Sequence, residues 1–194
     1  MRTCIVVSLA LAALAAPLPG QWSLTPEIGL TSFSGSGRDS SGLRMGPTRA
    51  TALALRFGWA SPRLGFGVRV LTGSSGLGAS DGRFTVIQEH QVRLIELAGL
   101  AAWRVARIGT ASHLGLEAGP ALALWAPAEA SSRSRLGAVV AAVWAFPVSG
   151  RLDAAVRFEA ALTPSLFDAA DLPPGATRRA TWRRGVALAL AWHQ

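Results

Sequence analysis

The sequence predicts an all-β chain: eight antiparallel strands in an up-and-down transmembrane β-barrel, residues 21–194, behind an N-terminal signal peptide, residues 1–20. Three observations carry this. Large apolar side chains recur at every second position in eight segments. The faces opposite them are small or charged. The connections between segments alternate between short and long. A period of two places one face of a strand against an apolar medium. The 194 residues are half apolar and 15% charged, enough for one domain and too apolar for a disordered chain. The only cysteine is Cys4, which excludes a disulfide framework.

The N-terminus reads as an address. Arg2 precedes an apolar run over 4–16, and Ala13-Leu14-Ala15 offers a cleavable small-residue pattern. Beyond it no apolar run approaches the roughly 20 residues of a helical span.

The eight segments are 22–33, 48–59, 63–71, 92–105, 114–125, 135–146, 151–163 and 182–192. In the second, Leu53, Leu55, Phe57 and Trp59 share one face, while Ala52, Ala54, Arg56 and Gly58 share the other. In the eighth, Val186, Leu188, Leu190 and Trp192 form the apolar face. A water-soluble barrel buries its large apolar face, whereas a barrel in lipid turns it outward. Large apolar residues on one side, with charges among glycines on the other, favour lipid outside.

Three connections are short, at 60–62, 106–113 and 147–150. Four are longer, at 34–47, 72–91, 126–134 and 164–181. Short turns on one side and long loops on the other mark outer-membrane barrels, with the short turns periplasmic. Trp22, Trp59, Trp103, Trp144 and Trp192 then fall at periplasmic strand ends, and Trp182 at an external end, all on the apolar face. Trp125 is external but has inward parity. Indole rings favour the headgroup zone, so a two-sided girdle is expected.

With its leader, eight alternating segments, alternating connections and final strand GVALALAW, the chain resembles the small eight-stranded outer-membrane barrels, the OmpA/OmpX-like group, over residues 21–194. The resemblance implies a location in the outer membrane of a Gram-negative-type bacterium. It also implies delivery by the outer-membrane assembly machinery, which reads an aromatic residue at the end of the last strand. Here Trp192 is followed by His193 and Gln194.

Parity sends Glu27, Arg56, Arg69, Glu96, Glu117, Asp153, Arg157 and Glu159 into the lumen. Unpaired buried charge costs several kcal/mol, so pairing is required. Neighbouring strands make Glu27–Arg56 and Arg69–Glu96 candidate pairs, and Arg157 is placed to meet Glu96 or Glu117. A closed plug is expected, with a gated ion path as the functional alternative.

Catalysis finds little support. Outside the leader the histidines are His90, His113 and His193, with no nucleophile–base spacing. No metal-ligand cluster and no phosphate-binding loop stands out, so no cofactor is expected.

All 19 basic residues are arginine. Arg38, Arg44, Arg49, Arg83, Arg93, Arg133, Arg135, Arg178, Arg179, Arg183 and Arg184 sort to the external side; Arg63, Arg104, Arg107 and Arg151 sort to the periplasmic side. Guanidinium groups match phosphate bidentately. Arg178, Arg179, Arg183 and Arg184 are therefore candidate contacts for lipopolysaccharide phosphate, with codon usage as the alternative source of the excess. Nucleic acid is a poor partner for an exported barrel. The expectation is a monomeric, non-enzymatic envelope protein serving envelope integrity or surface interaction. A lipid-modifying barrel enzyme and an exported soluble barrel carrying a lipophilic ligand stay open.

Overall fold

The computed structural model describes residues 20–81, 85–109, 111–128 and 131–194, less the side chains of Glu89 and His90. The leader up to residue 19 and Arg83 lie outside the described residues. Nine strands follow in order: β1 (Gln21–Arg38), β2 (Arg44–Pro47), β3 (Ala50–Ala60), β4 (Leu64–Ser80), β5 (Thr85–Ile108), β6 (Ser112–Pro127), β7 (Arg133–Ser149), β8 (Leu152–Thr163) and β9 (Thr177–His193). Every pairing is antiparallel, and β1 pairs with β9, which closes the ring. Closure pairs every spanning strand on both sides, the condition a sheet must meet in lipid. Eight strands span the ring. The four-residue β2 sits above β3, between the outer ends of β1 and β4.

The side-chain faces follow the alternation. Leu53, Leu55 and Phe57 on β3, Phe66 and Val68 on β4, and Val186, Leu188 and Leu190 on β9 are all outward and 47 to 62% exposed. The interior takes small residues such as Ala52, Ala98, Ala121 and Ala189, together with the charges. A soluble ligand-carrying barrel has the reverse arrangement. Trp22, Trp103, Trp144, Trp182 and Trp192 are outward, with Trp22 stacked on Phe57 at 5.0 Å and Trp59 on Phe66 at 6.5 Å. Trp125 is inside and 2% exposed.

The strands run further outward than the apolar alternation does. Stretches expected as loop, 72–80 and 85–91, are paired strand, with Ser80 opposite Thr85. The reason is physical. Ladder hydrogen bonds need only backbone, whereas apolar alternation is imposed only where lipid touches one face.

Gly119 shows how tightly the wall is built at Pro120, which donates no ladder hydrogen bond. A Cβ on Gly119 would lie 1.8 Å from the Gly99 carbonyl oxygen.

Candidate functional site: barrel interior and external rim

Four arginines and four glutamates fill the middle of the bore: Arg56, Arg69, Arg157 and Arg183 with Glu27, Glu96, Glu117 and Glu159. Their formal charges cancel. Arg69 reaches Glu27 at 2.7 Å and Glu159 at 3.1 Å. Glu159 also accepts from Arg157 at 2.9 Å and from Arg183. Arg157 bonds Glu117, which takes Arg56 at 2.5 Å. Arg183 reaches Glu96 at 2.6 Å. The eight groups form one connected network, with Glu159 touching three guanidinium groups. Each buried charge thus has an opposite partner, without which its burial would cost several kcal/mol.

Local sequence makes room for this. Arg56 and Arg69 stand directly opposite each other on β3 and β4, where like charges repel. They serve different carboxylates, Arg56 turning to Glu117 and Arg69 to Glu27 and Glu159. Gly67 leaves the space for Arg56; a Cβ there would lie 3.1 Å from Arg56 Nε.

An apolar cap closes the bore on the external side of the network. Leu71, Val92, Leu94 and Trp125 meet Leu166 from the connection after β8, each 3% exposed or less. Phe33 packs edge-on to Trp125 at 5.6 Å. The connection is tied down from several sides. Arg135 donates to the Ser165 carbonyl at 2.7 Å and to Asp168 at 2.7 Å. Arg133 donates to the Leu166 carbonyl at 3.1 Å and to Asp171 at 2.9 Å. The Ser165 hydroxyl donates to the Ser36 carbonyl at 2.6 Å, beside a β1 bulge where Ser36 has φ 86°. Partial burial pushes the Asp171 carboxyl up, but the hydrogen bonds from Arg133 and the Asp168 backbone N–H hold it below the usual carboxylate value.

On the periplasmic side a cavity of about 150 Å³ opens below the network, lined in part by Ser23, Arg56, His113, Asp153 and His193. His193 Nε2 lies 3.0 Å from Asp153. Ser23 is opposite His193 in register on the neighbouring strand. Among the described residues no group of His, Cys, Asp or Glu converges to hold a metal ion.

No family model and no curated protein sequence matches the chain. Solved structures do. Neisserial surface protein A superposes with a TM-score of 0.61 at 10% identity, covering 88% of this chain and 96% of its own. The outer membrane protein OprG from Pseudomonas aeruginosa gives 0.58 at 11% identity, covering 90% and 97%. The fold is that of an outer-membrane β-barrel.

Within this outer-membrane β-barrel fold the sequence-predicted residues separate into three places. Glu27, Arg56, Arg69, Glu96, Glu117, Arg157 and Glu159 come together in the bore. Asp153 stands apart, at the periplasmic mouth with His193. Of the expected pairs, Arg157–Glu117 is present, while Glu27–Arg56 and Arg69–Glu96 are not. Register explains the misses: Glu27 lies opposite Ala54, and Arg69 opposite Ala98, so each expected partner is two residues away along its strand. In so narrow a bore the long side chains instead reach across it.

One external assignment is corrected. Arg183 is 3% exposed and belongs to the interior network, not to the rim. The signal that finds it is parity, since Arg183 alternates with the small inward Ala187 and Ala189. Arg178, Arg179 and Arg184 are exposed at the outer end of β9. Arg133 and Arg135 are engaged in holding the 164–176 connection. Arg38, Arg44, Arg49, Arg93, Arg178, Arg179 and Arg184 have no ion-pair partner among the described residues.

Proposed function

We propose that the chain is a monomeric, non-enzymatic and non-conducting barrel of the outer membrane, serving envelope integrity or surface contact. The observation that carries this reading is the bore itself. An eight-stranded bore is just wide enough for its own side chains. Here it is crossed by ion pairs and capped by Trp125 and Leu166. The unpaired arginines on the external side support contact with the phosphates of lipopolysaccharide. Trp192, outward on the last strand, supports handling by the outer-membrane assembly machinery.

The test is single-channel recording of the folded protein in a planar bilayer. No stepwise conductance is expected. Reproducible steps lost on blocking the periplasmic mouth would overturn the sealed-bore reading.

A further inference from the structure

β8 is shorter than its neighbours, and the wall has a gap above it. β8 has 12 residues, whereas β7 and β9 have 17 each. Pairing between β7 and β8 begins at Ala138–Leu162, and pairing between β8 and β9 ends at Thr163–Thr181. Beyond those points 133–137 of β7 and 177–180 of β9 have no strand between them. The equivalent gap above β3 is filled by β2, which pairs with both β1 and β4. Above β8 only the 164–168 segment enters. It leaves an open cleft of about 610 Å³ whose lining includes Ser134, Arg135, Leu136, Asp168, Arg178 and Arg179.

The charges in this cleft are uneven. Asp168 is already shared between Arg133 and Arg135. Arg135 also donates to the Ser165 and Ser134 carbonyls. Arg178 and Arg179 have no ion-pair partner among the described residues. Immediately below, Leu136, Leu162 and Trp182 face outward at 69, 37 and 43% exposure. Uncommitted guanidinium groups therefore sit over an apolar outer wall, the order of charge and hydrocarbon in an anionic lipid.

We infer that this notch is a docking site for one phosphorylated glycolipid of the outer leaflet, whose phosphate is held by Arg178 and Arg179 while its acyl chains lie along Leu136, Leu162 and Trp182. Two guanidinium groups on one phosphate make charge-assisted, geometrically matched contacts. The inference rests on the proposed outer-membrane role and narrows it to one place on the rim.

The experiment uses the folded full chain in a neutral detergent and titrates bisphosphorylated lipid A, dephosphorylated lipid A and inorganic phosphate. The readout is the shift in thermal unfolding midpoint. Bisphosphorylated lipid A is expected to stabilise the wild type most, inorganic phosphate not at all. R178Q/R179Q is expected to weaken the lipid A response about tenfold or more, and R38Q/R44Q to leave it near wild type. Because Arg178 and Arg179 have no ion-pair partner among the described residues, the double variant retains the heat-shifted gel mobility of a folded barrel. An equal loss in both double variants overturns the notch and leaves a diffuse rim contact. A full response in R178Q/R179Q also overturns it. Stabilisation by inorganic phosphate alone reassigns the site to a free anion. No response of the wild type to any lipid removes the lipopolysaccharide reading as well, without touching the conductance result.

Discussion

Arg183 on β9 donates to Glu96 on β5 at 2.6 Å, and in ring order these two strands stand diametrically opposite. Arg69 on β4 and Glu159 on β8 form a second such diameter, at 3.1 Å. The bore is thus tied across itself as well as around its wall. Arg183 is the only ion-pair partner of Glu96 among the described residues. Arg183→Gln is expected to destabilise the barrel by about 3–5 kcal/mol, because it leaves a buried carboxylate unpaired. In Arg183→Gln/Glu96→Gln much of that loss should return, since neither buried charge then lacks its partner. Urea unfolding of the folded protein in lipid vesicles measures both. A double variant destabilised by the sum of Arg183→Gln and Glu96→Gln measured singly would show that the pair is not coupled.

Gly119 offers a test of the wall. Its absent Cβ is what lets the Gly99 carbonyl approach. Gly119→Ala should cost about 1–3 kcal/mol by overpacking against backbone that cannot swing away. Gly99→Ala, where a Cβ meets nothing within 4 Å, should cost less. The comparison is made by unfolding both variants under the same conditions.

The cap over the bore depends on arginine clamps. In Arg133→Gln/Arg135→Gln the 164–176 connection loses its ties to Ser165, Leu166, Asp168 and Asp171. Proteolysis of the folded barrel should then cut near Leu166 and Phe167 at least ~tenfold faster, following the easier local opening. Acid should act in the same direction. The Asp171 carboxyl lies below its ordinary value of 3.8 when folded, so its stabilisation is present above that value and is lost as pH falls through the lower, folded one. Protection of this segment is therefore expected to hold at neutral pH and to fail only below about pH 4. Protection that fails near pH 6 would point to a different group.

The tryptophans report the two faces. In single-tryptophan variants, lipids brominated on their acyl chains should quench Trp22, Trp103 and Trp182, which face outward, and spare Trp125, which is 2% exposed inside the cap. Quenching of Trp125 by lipid would place it on the wrong side of the wall.

Alternation such as that of Leu53, Leu55 and Phe57 with Ala52, Ala54 and Arg56, repeated over eight segments, was enough to identify and count the spanning strands, and the charges among small residues on the opposite face favoured lipid on the apolar side. Lipid imposes a rule on every second side chain, and that rule is local. Seven members of the interior network were legible for the same reason. Their partners were not, because pairing in a narrow bore depends on which side chains meet across it, and strand neighbours in sequence say nothing of diameters. The outward extension of β4 and β5 escaped notice since the period of two lapses there, with Val86 and Ile87 apolar in succession and glycines and serines along 73–80. Arg183 and Arg184 are adjacent in sequence, yet one is locked to Glu96 and Glu159 and the other stands on the outer wall. Parity along β9 separates the two, but only the closed ring supplies the partners: it brings Glu96 from the opposite wall to Arg183 in the core and leaves Arg184 on the rim.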